Sequence, residues 1–174
     1  MKREHDMGCD IHLYVEYLRP AWSDYRSFFG RLRLARFYPL FAALGVRARA
    51  QSPDDVKHEL RGLPLALGDE SRLDSSLYVT DDGSKSNTSC TRQFAEKCVA
   101  EGLSIWEKGF DSDQAYITHP DWHSHSWLTY EEFRRALQPF VNREGLQEYR
   151  ALVAAMKQLV DEGFEVRVVF WFDN

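Results

Sequence analysis

The sequence has few cysteines, and none has the spacing of a metal site or a disulfide framework. Cys9, Cys90 and Cys98 are odd in number, and no CxxC pair occurs. This pattern argues against a disulfide-stabilised fold and favours a reducing compartment. No apolar run approaches the roughly 18 residues of a membrane span, and no apolar segment follows the charged start MKREHD. The sequence therefore predicts a cytoplasmic protein with no membrane association and no secretion signal.

An excess of positive charge is also missing, because the formal net charge is −5. A protein held to nucleic acid mainly through phosphates carries the opposite balance, so we expect no strong non-specific nucleic-acid binding. A local cluster of six arginines is typical of the solvated face of an amphipathic segment. Its members are Arg26, Arg31, Arg33, Arg36, Arg47 and Arg49.

The first and last segments both have the pattern of strands. In DIHLYVEYL, residues 10–18, apolar side chains alternate with Asp10, His12, Tyr14 and Glu16, which gives one apolar and one polar face. The final EVRVVFWFDN is almost continuously apolar, which is typical of a central, buried strand. Shorter strands are predicted at 77–80 and 115–118.

Helices are predicted at 38–45, 91–101 and 146–161, and from residue 130, where Thr129 and Glu132 have capping-box spacing. Together the patterns predict one α+β domain, or a mixed-sheet α/β domain, over 1–174. Its central sheet would hold the first and last strands and be flanked by helices. Residues 1–6 are expected to be a lead-in, and the polar tract 81–89 a mobile surface loop.

The segment DWHSHSW, residues 121–127, concentrates groups that bind metals. In an extended chain Asp121, His123 and His125 would point to one side, and imidazole and carboxylate are common ligands of divalent metals. The alternative interpretation is a polar loop with aromatic anchors. The position just before a helix favours a functional loop.

More distant residues complete the predicted site. Asp10 and His12 share a face of the first strand, and Asp173 ends the last one, so neighbouring strands would bring them together. Arg61, in the RGLP turn, is a candidate to bind an anion. We therefore predict a divalent-metal site for Zn, Mn or Mg, with catalytic roles for Asp10, His12, His123, His125 and Arg61. The predicted metal ligands are Asp10, His12, Asp121, His123, His125 and Asp173.

MGCDIHLYVEY, FYPLFAALGVR, RGLP, HSHSWLT and VRVVFWFDN occur here in that order. The chain resembles a family of uncharacterised proteins from bacteriophages and bacteria that carry similar segments in this order. The resemblance spans nearly the whole chain. It implies a phage or prophage origin and Met7 as the ancestral start. It places the candidate residues Asp10, His12, Arg61, His123, His125 and Asp173 within the shared segments.

DWHSHSW also resembles, locally, the first motif of the PHP-type phosphoesterases, Asp-x-His-x-His-Ser. In that family the histidines bind metal ions that activate water. The motif there opens a domain with many later ligands. Here only 49 residues follow His125, and they contain no histidine. The resemblance therefore implies related local chemistry and not the PHP fold.

Two functions follow from these features. The first is a small metal-dependent hydrolase, a phosphodiesterase acting on a nucleotide or nucleic acid, in which a metal-bound water is the nucleophile and Arg61 neutralises the phosphate. The alternative is a non-enzymatic phage accessory protein, such as a counter-defence factor, that binds a host protein or a signalling nucleotide. Either would act in the cytoplasm of the host cell.

Overall fold

Two β-sheets and five α-helices make up the part of the chain that the computed structural model describes, residues 9–81, 86–107 and 115–173. The fold is α+β, as predicted. The lead-in 1–6, Met7 and residues 82–85 of the polar tract lie outside the described ranges. The strands are β1 Ile11–Leu18, β2 Arg26–Ser27, β3 Leu32–Arg33, β4 Ser76–Thr80, β5 Ser89–Thr91, β6 Trp106–Glu107, β7 Tyr116–Thr118, β8 His123–Thr129 and β9 Glu165–Phe172. The helices are α1 Tyr38–Ala43, α2 Asp69–Ser75, α3 Arg92–Ala100, α4 Tyr130–Leu137 and α5 Gln147–Asp161, with short 3-10 helices at Arg47–Arg49, Pro53–Asp55 and Gln138–Phe140.

The larger sheet has the first and last strands at its centre, which confirms the prediction. Its order is β2-β1-β9-β8, with β3 also paired to β1, and every pairing is antiparallel. Ile11 lies opposite Phe172 at one end and Leu18 opposite Glu165 at the other. The start of β1 and the end of β9 therefore lie side by side.

One face of this sheet carries the main hydrophobic core. Ile11, Leu13 and Val15 of β1 pack there with Val168 and Phe170 of β9. Helices α1, α4 and α5 cover them, and α5 buries the stripe predicted from its periodicity, including Leu152 and Met156. Each fully buried aliphatic side chain contributes about 1.5–3 kcal/mol, so this face is the main source of stability.

The opposite face of β1 is polar and is buried under the segment that contains α2. Glu16 is fully buried and forms an ion pair with Arg167 of β9, with Nη2 and Oε2 2.7 Å apart. Its other oxygen accepts hydrogen bonds from the Gly68 backbone N–H at 2.9 Å and the Ser71 hydroxyl at 2.6 Å. The carboxylate thereby anchors the start of α2 to the sheet.

The smaller sheet, in the order β5-β4-β7-β6, continues directly from α2 through β4. Its buried apolar residues pack on α3 and form a separate cluster that includes Leu77, Val79 and Ile117. Cys90 and Cys98 belong to this cluster, and all three cysteines are buried and unpaired. None of the described helices has the length and apolar composition needed to cross a membrane.

The short strands β2, β3, β5 and β6 were not predicted from the sequence, and two longer elements also differ from the prediction. The segment 123–129, expected to be part of a loop, is a strand that pairs with β9. Helix α2 is not among the helices predicted from the sequence, because its inward side chains, Ser71 and Ser75, are polar and give no apolar stripe. Both elements depend on contacts with distant strands.

Candidate active site

The ends of β1 and β9 bring Asp10 and Asp173 together. The Asp10 backbone N–H donates to Asp173 Oδ1 at 2.8 Å, and the Asp173 N–H donates to the Asp10 carbonyl at 3.2 Å. These two bonds extend the strand pairing by one step and fix the Asp173 side chain beside His12. The juxtaposition expected from neighbouring terminal strands is present.

His12 is the centre of the candidate site. Its side chain is almost fully buried, and its two ring nitrogens each contact a carboxylate: Nδ1 lies 3.2 Å from Asp74 Oδ2, and Nε2 lies 3.2 Å from Asp173 Oδ2. Arg31 Nη1 also lies 3.2 Å from Nδ1. A protonated Nδ1 donates to Asp74, and an unprotonated Nδ1 accepts from Arg31. The ring therefore has two proton arrangements in which its nitrogens find partners. A histidine in this position is suited to carry a proton.

Asp74 reaches His12 from α2. Its Oδ2 also accepts a hydrogen bond from the Tyr14 hydroxyl at 2.9 Å. Burial raises the pKa of Asp74, but the hydrogen bonds from His12 and Tyr14 and the nearby charges of His12 and Arg31 outweigh it and lower the pKa. Burial, together with the neighbouring Asp74 carboxylate, raises the pKa of Tyr14. Asp74 is therefore ionised and Tyr14 is a hydrogen-bond donor at neutral pH.

Aromatic rings pack around His12. The Trp122 ring centroid lies 4.4 Å from that of His12, and Trp171 lies 5.8 Å away. The Trp122 indole N–H donates to the Asp74 carbonyl at 2.9 Å, and His119 stacks on the same indole at 4.6 Å. The rings restrict the orientation of the His12 imidazole, and the hydrogen bond from Trp122 holds the backbone of Asp74.

An open cleft of about 290 Å³ has His12 and Asp173 in its lining, with Arg31 and Arg33 of the adjoining segment. Arg33 lies directly opposite His12 across the β1–β3 pairing, and its side chain makes no hydrogen bond within the described residues. Asp10 also lines the cleft, where the Arg36 guanidinium lowers its pKa by bidentate hydrogen bonding. The cleft therefore combines a buried acid–base group with exposed guanidinium groups, which suit an anionic ligand.

The HSHSW segment does not present its histidines to one side. A β-bulge separates His123 from Ser126, and Ser124 has a φ of +57°. His123 stacks on Phe172 and His125 on Trp171, which are consecutive residues of β9 and face opposite sides of the sheet. The expectation that both imidazoles project from one side is therefore not met.

His125 is the one of these two on the His12 side, near Trp171. Burial, with smaller contributions from the charges of His123, His119 and His12, lowers the pKa of His125 to about 4. Its Nε2 is buried and has no hydrogen-bond partner within the described residues, and the same holds for Trp171 Nε1. His125 is therefore a neutral, packed side chain at pH 7.

Two further predicted residues lie away from His12. Asp121 is largely exposed, and its carboxylate is 3.8 Å from the His119 ring. Arg61 forms an ion pair with Glu132 at 2.9 Å, and its guanidinium lies over the Trp127 ring. The RGLP segment runs beside β8, where the Gly62 N–H donates to the His125 carbonyl at 3.1 Å. Arg61 thus connects this segment to α4 and does not reach the cleft.

The predicted metal ligands do not form one coordination group. Within residues 9–81, 86–107 and 115–173, no three His, Cys, Asp or Glu side chains are arranged to hold a metal ion. Both nitrogens of His12 already contact carboxylates. The arrangement of the described side chains therefore does not fit a bound metal. Metal binding stays a prediction, and no chemical step below depends on it.

Sequence reasoning missed Asp74 and the contribution of Arg31. The alternation in β1 predicted a polar face with His12, Tyr14 and Glu16, but no pattern in the sequence shows which segment covers it. The arginine cluster contained Arg31 and Arg33, and its interpretation as a solvated face overlooked their place beside a histidine.

Comparison with known proteins gives no guide to this arrangement. No protein-family model matches the chain, and neither the curated proteins nor the solved structures include a match. The chemistry of the cleft is therefore the basis for any functional assignment.

Proposed function

We propose that the chain is a small hydrolase of phosphodiesters in nucleotides or nucleic acid, with the cleft at His12 as its active site. The observation that carries the proposal is the buried His12 imidazole, held between Asp74 and Asp173 beside two exposed arginines. The resemblance to phage proteins supports a phage or prophage origin and action in the host cytoplasm.

The groups of the cleft fit hydrolysis of a phosphodiester without a further reactant. Arg31 and Arg33 bind the phosphate oxygens and stabilise the charge that develops there. Asp173 takes a proton from water as the water oxygen bonds to phosphorus, and His12 gives its Nε2 proton to the leaving oxygen as the phosphorus–oxygen bond breaks. The proton then returns from Asp173 to His12 across their direct contact. Asp74 and Tyr14 hold the ring throughout.

The test is turnover of bis(p-nitrophenyl) phosphate and of short oligonucleotides, first in EDTA and then with Zn, Mn or Mg. We expect His12→Asn to reduce the rate about 100-fold or more, the usual effect of losing a general acid–base group. His58→Asn is the matched control, because His58 lies outside the cleft. Full activity in His12→Asn would contradict the assignment, as would failure to hydrolyse any substrate in every condition.

The same assay tests the predicted metal. Activity only with Zn, Mn or Mg, and near-stoichiometric metal in the purified protein that is lost in His12→Asn, would support a metal-dependent mechanism. Metal lost in a His123→Ala/His125→Ala variant that still folds would instead locate the ion at β8. Equal activity in EDTA would reject the metal requirement.

A second candidate is a non-enzymatic accessory protein. The observation in its favour is an exposed apolar stretch at the edge of the smaller sheet, Leu103, Ile105 and Trp106, whose exposed fractions are 53%, 62% and 37%. Adjacent exposed apolar side chains mark protein-binding surfaces more often than single ones do. Binding of a nucleotide or a host protein without turnover would favour this function.

A further inference from the structure

The segment 26–33, which contains β2 and β3, forms the edge of the larger sheet beside β1. Its register places Arg26 opposite Tyr17 and Arg33 opposite His12. The five steps along β1 between these two positions span about 17 Å, at about 3.4 Å per residue. The segment therefore follows the sheet edge and ends at the His12 cleft, which Arg33 lines.

Two exposed phenylalanines lie in the middle of this segment. Phe28 and Phe29 are 37% and 45% exposed, and their ring centroids are 4.2 Å apart. Phe28 also packs edge-on against Tyr17 at 6.1 Å, which anchors the pair to β1. Within the described residues, Phe29 contacts no ring other than Phe28. Exposed aromatic rings that are anchored from one side provide a stacking surface for planar groups.

Arginines flank the two phenylalanines. The Arg26 guanidinium packs over the Trp22 ring, 4.2 Å from its centroid, and Arg19 lies 4.9 Å from the same ring. The Trp22 ring is thus covered by cations and holds Arg26 in place. Within the part of the chain that the structure describes, neither Arg26 nor Arg33 has a side-chain hydrogen bond or an ion pair. A guanidinium that stacks on a ring by its flat face keeps its in-plane N–H groups for a phosphate. We call this surface the edge strip; its members are Arg26, Phe28, Phe29, Arg31 and Arg33.

One carboxylate approaches the middle of the edge strip. A Cβ on Gly30 would lie 3.9 Å from Glu70 Oε2, and the Glu70 side chain has no hydrogen-bond or ion-pair partner among the described residues. Asp24, two residues before Arg26, accepts a hydrogen bond from the Ser23 hydroxyl at 2.5 Å. Glu70 therefore opposes an anion at this point, so its removal should strengthen the binding of one.

We propose that the edge strip binds a single strand of nucleic acid and leads it to the His12 cleft. Unpaired bases stack on Phe28 and Phe29, and the phosphates on either side of them bind Arg26 and the arginines of the cleft. The inference rests on the hydrolase proposal, which places the reacting phosphate at His12.

A single strand fits the edge strip better than two other anionic polymers. A duplex hides the faces of its bases, so it would use the arginines and leave the phenylalanines without a partner. An acidic peptide would likewise pair with the arginines but offers no planar groups to stack. The phenylalanines are therefore the part of the surface that distinguishes among these ligands.

The dimensions of the edge strip set the size and the salt dependence of the bound segment. A nucleotide takes up about 3.4 Å of a strand in B-DNA and more when extended, so the strip covers at most about five nucleotides. Three guanidinium groups contact up to three phosphates, and each contact contributes about 0.7 to the slope of log K against log salt, so the slope should be about −2. The net charge of −5 gives no attraction beyond these contacts, so the binding should be moderate and local.

The experiment is fluorescence anisotropy of a fluorescein-labelled oligo(dT) of twelve nucleotides, titrated with the full chain in EDTA. Phe29→Ala should weaken binding at least about fivefold, the lower end of the effect of losing one stacked base. Arg26→Met should weaken binding and reduce the salt slope by about 0.7, and Glu70→Gln should strengthen binding. Hydrolysis of bis(p-nitrophenyl) phosphate should not change in Phe29→Ala or Arg26→Met, because both residues lie outside the cleft.

Matched controls come from other surfaces of the chain. Phe94 of α3 is 40% exposed, and Arg47 forms an exposed ion pair with Glu59. Neither Phe94→Ala nor Arg47→Met should change the binding of the oligonucleotide. Circular dichroism of each variant shows that a loss of binding is not a loss of folding.

Several outcomes would overturn the proposal. They are no saturable binding, equal losses in Phe29→Ala and Phe94→Ala, and equally tight binding of a duplex or of a poly-glutamate peptide of the same length. Hydrolysis of bis(p-nitrophenyl) phosphate by a protein that binds no oligonucleotide would reject the edge strip and leave the hydrolase proposal standing. Binding that depends on Phe29, with no hydrolysis of any substrate, would contradict the hydrolase and still support the edge strip as a binding surface.

Discussion

Glu16 is the buried charge on which the polar side of β1 depends. It has no exposed surface, and every partner of its carboxylate comes from another part of the chain. An ion pair in this position need not stabilise the protein relative to apolar residues, but loss of one partner leaves the other charged and buried. The Glu16 carboxylate, which also accepts hydrogen bonds from Gly68 and Ser71, therefore holds α2 against the sheet. Through α2 it places Asp74 at His12.

We expect Glu16→Gln to lower the free energy of unfolding by about 3–5 kcal/mol, because Arg167 would lose its counter-charge inside the protein. Urea unfolding followed by circular dichroism measures the change. Glu59→Gln is the control, since the Glu59–Arg47 pair is exposed, and its effect should stay within about 0.5 kcal/mol. Similar effects of the two substitutions would show that Glu16 has no special role.

Helix α2 approaches β1 closely at its first turn. A Cβ on Gly68 would lie 2.8 Å from Glu16 Oε1 and 3.3 Å from Glu16 Cδ. The backbone φ of Gly68 is −62°, so the requirement for glycine comes from this close contact and not from its conformation.

Gly68→Ala should therefore displace the start of α2 and destabilise the protein by about 1–3 kcal/mol. Hydrolysis at His12 should fall as well, because Asp74 lies in the same helix. Gly30→Ala is the control, since its added Cβ would come no nearer than 3.9 Å to another group. Thermal unfolding and the phosphodiesterase assay measure the two effects, and an unchanged Gly68→Ala variant would reject the positioning role of α2.

Helix α4 begins with the capping box predicted from Thr129 and Glu132. The Thr129 backbone N–H donates to Glu132 Oε2 at 3.0 Å, and the Glu132 N–H donates to the Thr129 hydroxyl at 3.3 Å. The Arg61 guanidinium, followed by the bonds from Thr129, lowers the pKa of Glu132 from 4.5 to about 2. The helix start is thus tied to the RGLP segment.

We expect Glu132→Gln to cost about 1 kcal/mol at pH 7, a value reduced by the access of solvent to the pair. The unfolded carboxyl has the higher pKa, so the stabilisation is fully present above about pH 4.5 and is lost as the pH falls through about 2. Urea unfolding at pH 7 and pH 2.5 measures this, and the difference between the variant and the natural protein should shrink at the lower pH. Glu131→Gln, one residue away in an exposed pair with Arg134, should show a much smaller effect.

The elements that sequence patterns predicted are those whose own side chains alternate or repeat. Strand β1 and helix α5 have such patterns, and both were confirmed. The β8 segment was predicted to be part of a loop because HSHS is polar. Its strand structure depends instead on its pairing with β9. For the same reason the sequence located Asp10, His12 and Asp173 but not Asp74, whose position depends on the Glu16 contact with α2.

At the scale of the whole molecule, the larger sheet joins residues that are far apart in sequence. Asp10 and Asp173, which are 163 positions apart, share hydrogen bonds beyond the last paired residues. Contacts of such separation form late and slowly, because the chain between them must first be ordered.

A fragment of residues 1–164 should therefore lack both the sheet and the His12 cleft. We expect its circular dichroism spectrum to show little native structure and its hydrolysis of bis(p-nitrophenyl) phosphate to be absent. Removal of β9 exposes the apolar face of β1, and the remaining core does not offset the entropy of ordering the chain. A fragment that folds cooperatively would show that α1, α4 and α5 form a stable unit with β1 and β8 alone.

The meeting of Asp10 and Asp173 also affects how the protein should be prepared. An affinity tag fused directly before Asp10 or directly after Asp173 would leave the protein beside the carboxylate that contacts His12. A polyhistidine tag would bring extra imidazoles to this cleft and bind the metals under test. Metal content and activity should therefore be measured after the tag is cleaved off, or with a tag inserted in an exposed turn such as the one at Gly145.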